Sequence, residues 1–71
     1  GFQPYDLSEW MPFYVGFAKG HRIDLANEVG ALMRQDQNYI WSYCGQYLNS
    51  DLSVKDKIDI YIITNLCSAL L

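Results

Sequence analysis

At seventy-one residues the chain is bounded to one small domain over 1–71, whose own core leaves only about 3–5 kcal/mol of net stability. Its apolar fraction of 51% and aromatic fraction of 15% belong to a folding chain and exclude a disordered one. With five Lys and Arg against eight Asp and Glu, the net charge of −3 argues against a nucleic-acid partner, which needs a clustered basic face.

Residues 6–19 read as the first helix. Asp6 is an N-cap and Glu9, three residues on, its reciprocal partner. Pro12 lies too deep for the first turn of a helix capped there, so either the helix kinks or a new one begins at Pro12. Gly20 is a helix stop. A second helix, 23–34, places Leu25, Ala26, Val29, Leu32 and Met33 on one face, with Asp24 complementing its dipole. Gly30 costs that helix about 1 kcal/mol against Ala and marks either close packing or a break. The polar run 34–38 is a turn or the solvated face of one long helix.

In the third helix, 37–48, Ile40, Cys44 and Leu48 form a stripe with Tyr39, Tyr43 and Tyr47 beside it. Strand competes here, because the aromatics at 39, 41 and 43 alternate and favour sheets. The three- and four-residue spacing that runs on to Leu70 decides for helix. The last helix, 53–70, opens on a capping-box-like Ser53 and Asp56. It is apolar on two sides. Val54, Ile58, Ile62 and Leu66 are expected to face the core; Ile60, Ile63, Cys67 and Leu71 are expected to face the N-terminal aromatics or a second chain. The uncharged run 60–71 is shorter than the roughly twenty residues a membrane span needs, and no signal peptide is visible. The expected fold is all-α, a compact bundle of three to four short helices with orthogonal or helix-turn-helix-like packing.

Two cysteines fit either a staple or buried thiols. In a simple antiparallel hairpin turning near 49–52, Cys44 lies opposite a residue near 57. Cys67 is then about 15 Å further on, beyond the roughly 7 Å between alpha carbons that a disulfide spans. Reduced thiols in a cytoplasmic chain are therefore the expectation, with a secreted mature chain as the alternative.

Chemical signatures are sparse. His21, the one histidine, has no acid or cysteine at ligand spacing and reads as an exposed turn residue. Cys44 and Cys67 lack the electropositive surroundings of a reactive thiol. Asn49, Asp51 and Ser53 alternate as in a calcium loop, but the required glycine and terminal bidentate acid are missing. The expectation is no catalytic residue, no metal and no cofactor.

Residues 25–30, LANEVG, resemble the first helix and turn of a helix-turn-helix DNA reader, with Arg34, Gln35, Gln37 and Asn38 as readout groups. From Phe13-Tyr14 through residues 36–39 to Tyr47-Leu48 the chain is similar to the small bacterial YozE-like helical domains, although it lacks a Phe-Pro step; no residue role follows. In length and helix content it resembles the secretoglobins.

Of the chain's eleven aromatic rings, the nine from Trp10 to Tyr61 exceed what so short a chain can bury, so some belong at a surface, Trp10 and Trp41 first. The expected function is a non-enzymatic protein–protein interaction module, self-associating as a homodimer, with Trp10, Trp41, Ile60, Ile63, Cys67 and Leu71 as candidate interface. A small DNA-binding regulator using 24–44 comes next, and a secreted helical dimer holding an apolar ligand third.

Overall fold

The computed structural model describes residues 9–70. They form four helices, α1 (Trp10–Lys19), α2 (Ile23–Arg34), α3 (Gln37–Leu48) and α4 (Lys57–Leu70), with a 3₁₀ turn at Leu52–Val54 before the last. No strand occurs among the described residues. The segment whose aromatics alternate at 39, 41 and 43 is helical.

Local chemistry sets each helix end. Pro12 is the third residue of α1, within the first turn, where an N–H has no intrahelical acceptor to lose, so the helix starts near it without a kink. Met11 has such an orphan N–H, which donates to the Tyr39 hydroxyl at 3.1 Å. The expected cap at Asp6 lies outside the described residues. At the other end of α1, His21 N–H donates to Ala18 O and Arg22 N–H to Phe17 O. This is the Schellman pattern, and its left-handed position is taken by His21 at φ 60, not by a glycine. Gly20 is the C-cap with negative φ. The run 34–38 resolves as a turn: Asp36 accepts the Tyr39 N–H at 3.0 Å and opens α3.

The expected helix start at Ser53 is displaced. Asp51 accepts both the Ser53 N–H and hydroxyl, which holds the 3₁₀ turn instead. Asp56 caps α4, its carboxylate accepting from Ile58 N–H at 2.8 Å and Asp59 N–H at 3.1 Å. An aspartate two residues before Ser53 offers the serine a closer partner than the helix does.

The core draws Met11 and Val15 from α1, Ala26, Val29 and Met33 from α2, Ile40 and Cys44 from α3, and Ile63, Leu66 and Cys67 from α4. Gly30 is buried within an unbroken α2 against Tyr14, so it marks close packing and not the turn of a helix-turn-helix reader. A Cβ built there meets the Tyr14 ring at 3.5 Å, an ordinary contact. The expected orientation of the last helix is also corrected. Ile63 and Cys67, expected to face the N-terminal aromatics or a second chain, are buried in the core, whereas Val54 and Ile58, expected to face it, are 77% and 58% exposed.

Cys44 and Cys67 form a disulfide, with their alpha carbons 5.8 Å apart. The expectation of free thiols fails because the connection is not a tight hairpin. Eight residues, 49–56, separate α3 from α4. Cys44 lies four residues before the end of α3, whereas Cys67 lies ten residues into α4. The longer link lets α4 run past the end of α3 and takes up the offset that a turn at 49–52 leaves.

Two outcomes test this account. His21→Gly removes the left-handed penalty of a side chain, partly offset by glycine's unfolded-state entropy, and is expected to stabilise by about 0.5–1 kcal/mol in denaturant unfolding. An unchanged or lower midpoint contradicts the strain. Thiol titration of the native chain is expected to find no free thiol. Replacing both cysteines by alanine should cost about 3 kcal/mol, the loop-entropy scale for cysteines 23 residues apart.

Candidate functional site

An open groove of about 450 Å³ runs between α1, α3 and α4. Pro12, Val15, Gly16 and Lys19 form its α1 wall, Tyr43 and Tyr47 its α3 wall, and Lys55, Asp56, Asp59 and Ile63 the third side. A smaller recess of about 220 Å³ adjoins it beyond Tyr47, lined also by Gln46 and Ser50. The groove exists because α4 begins beyond the end of α3: its first-turn acids then reach the tyrosines, and Asp59 meets Lys19 of α1 at 2.9 Å.

The α3 wall belongs to a longer aromatic ladder. Tyr39, Tyr43 and Tyr47 recur every fourth residue, which stacks them along one side of α3. Tyr39 and Tyr43 lie 6.0 Å apart, and Tyr43 and Tyr47 lie 6.1 Å apart with their planes 13° from parallel. Trp10 meets Tyr39 edge-on at 5.4 Å, and the Lys55 ammonium lies 5.7 Å from the Tyr47 ring centre. The two ends of the ladder carry Trp10 Nε1 and the Tyr47 hydroxyl, both buried without a hydrogen-bond partner among the described residues.

The field in the groove is shaped by the two acids. Burial pushes the Tyr43 and Tyr47 phenols above their ordinary value; Asp59 raises both further, and Asp56 adds to Tyr47. The Asp59 carboxylate, hydrogen-bonded to Lys19, holds that ammonium up. Asp56 is held below the usual carboxylate range, chiefly by the backbone N–H of Asp59, with Ile58 N–H and the Lys19 charge adding to it. Because the Lys19–Asp59 pair is exposed at both ends, it orients the groove wall more than it stabilises the fold.

The residues singled out from sequence are placed apart. Trp10 is half-buried and packed on the core beside Tyr39; Ile63 and Cys67 are buried in that core, Cys67 in the disulfide. Ile60 is half-buried, and Trp41 points outward at 65% exposure. Leu71 lies outside the described residues. Those described therefore do not share one face. His21 occupies the strained α1–α2 turn, exposed. Among the described residues no three His, Cys, Asp or Glu groups converge on a point that would hold a metal ion, and no helix is long and apolar enough to cross a membrane.

Sequence reasoning identified the tyrosine spacing but not its partners Lys55, Asp56 and Asp59. The signal was the Asx-type cap at Asp56. It fixes where α4 starts, and so which acids face α3. A second feature it misplaced is the exposed apolar side of α4, made by Ile58 and Tyr61 with Val54 just ahead of the helix. Leu48, at 42% exposure, follows Trp41 by seven positions on the outer side of α3. No known protein family matches the chain, and no curated protein or solved structure is significantly similar to it.

The Asp56 cap has a pH signature. Its folded pKa is depressed, so its contribution is complete above the unfolded carboxylate range near about 4 and is lost as pH falls through the lower folded value. Asp56→Asn keeps an acceptor at the cap while removing the titration. Its thermal midpoint is expected to fall less than that of the parent chain between about pH 5 and pH 2; an equal fall in both would show that the cap does not contribute.

Proposed function

We propose that this chain is a non-enzymatic protein–protein interaction module that pairs with a second copy of itself through the outer side of α4. One observation carries the reading. The core is complete without Ile58 and Tyr61, yet these two stand 58% and 69% exposed three positions apart on one helical side, beside Val54 at 77%. Large apolar side chains grouped on an open face favour a partner, and tyrosine is a frequent anchor of such contacts. A stable interface takes about 800 Å² from each partner, a substantial share of the 4768 Å² accessible here. A pair of this size would thus gain appreciably in buried core from mutual contact.

The buried disulfide supports an oxidising compartment, where such bonds persist and where small domains rely on them. That setting is shared with the apolar-ligand carrier reading. Four charged side chains line the groove, however, which suits a polar occupant better than an apolar one. The DNA-reading alternative loses its turn glycine to the interior of α2.

Sedimentation of the purified oxidised chain tests the proposal. A dimer is expected, converted to monomer by Ile58→Asp or Tyr61→Asp with the helical circular-dichroism signal retained. Both positions are exposed, so neither change reaches the core, unlike one at Ile63. A parent chain that stays monomeric at high micromolar concentration removes the reading.

A further inference from the structure

The groove already holds cations of its own. Lys55 Nζ lies over the face of Tyr47, 5.7 Å from its centre, and Lys19 Nζ rests on Asp59 at 2.9 Å. A tyrosine face attracts an ammonium through its quadrupole, and paired rings with adjoining carboxylates are the elements from which organic-cation cages are made. Here Tyr43 stacks beside Tyr47, and Asp56 and Asp59 line the same cavity.

Removing Lys55 from that arrangement leaves two carboxylates against the single ammonium of Lys19, so the vacated space is net negative. Val15 and Ile63 give it an apolar floor for an alkyl chain. At about 450 Å³ the cavity falls within the roughly 300–1,000 Å³ of ligand sites. Lys55 itself stands in extended backbone between the 3₁₀ turn and the Asp56 cap, outside every helix, so its side chain can swing away without unwinding one.

We propose that this groove binds an alkylammonium group, and that Lys55, seated over Tyr47 in the groove that Asp56 and Asp59 also line, is an internal competitor that fills the cage in the free chain. Ligand binding exchanges one cation for another, with no bond made or broken. The site lies away from the outer side of α4 and does not depend on self-association.

The test is an NMR titration of the oxidised chain at constant ionic strength, following the Tyr43 and Tyr47 ring protons and the Ile63 methyls. Tetramethylammonium chloride is one probe, N-acetyl-lysine methylamide a second, and sodium chloride the control. Saturable shifts confined to these groups are expected. Lys55→Ala should tighten binding roughly two- to fivefold, the scale of an exposed cation–π contact, while Tyr47→Leu and Asp59→Asn should weaken it. Saturation by both probes supports a site open to free organic cations; saturation by the lysine derivative alone assigns the occupant to a lysine side chain of a partner. Shifts no larger than those with sodium chloride, or a Lys55→Ala chain that binds no more tightly, overturn the proposal.

Discussion

The Cys44–Cys67 bond joins the second half of α3 to the last third of α4 inside the core, between side chains that are themselves almost fully buried. Its position fixes how far α4 slides along α3, and that offset decides the rest of the molecule. With Cys67 held against Cys44, Ile63 and Leu66 turn inward one helical turn apart, and Ile58 and Tyr61 turn out. The same offset carries the first turn of α4 beyond the end of α3, where Asp59 pairs with Lys19 and both Asp56 and Asp59 line the groove with Tyr43 and Tyr47. Exposed face and charged groove are thus two results of one placement.

The aromatic ladder ties this end of the molecule to the other. Tyr39 serves twice: its ring continues the stack from Trp10 to Tyr43, and its hydroxyl satisfies the Met11 N–H at the start of α1. A helix that starts near a proline and has no side-chain cap of its own thereby takes its cap from another helix. Burial pushes the Tyr39 phenol upward, partly opposed by the Met11 N–H that its oxygen accepts.

Much of the fold was legible in the residues. Helices 23–34 and 37–48 match their expected bounds, because Gly20 and Asp36 punctuate the chain by local chemistry that acts within four residues. What escaped was long-range. Whether Cys44 faces Cys67 depends on the path of residues 49–56, and a hairpin shortens that path by assumption. The choice between Ser53 and Asp56 as the cap of α4 turned on Asp51, which engages the serine first. The facing of α4 escaped for the first of these reasons: Cys67, held against Cys44, turns Ile63 and Leu66 inward and leaves Ile58 outside. The groove followed the same rule: its tyrosines were visible as a fourfold spacing, and its charges became visible only once the register of α4 was known.

The pairing of helices is uneven, and the covalent bond falls where it is thin. α1 and α2 are joined by only three residues, 20–22, and pack on each other more extensively than any other two helices. Closing so short a loop costs little chain entropy, so apolar contact suffices to keep that pair together. α3 and α4 close from a longer link and share much less contact. α3 fully buries only Ile40 and Cys44. The crosslink replaces the apolar area this second pair lacks, and it lets α4 keep apolar side chains in reserve on its outer surface without losing its hold on the domain.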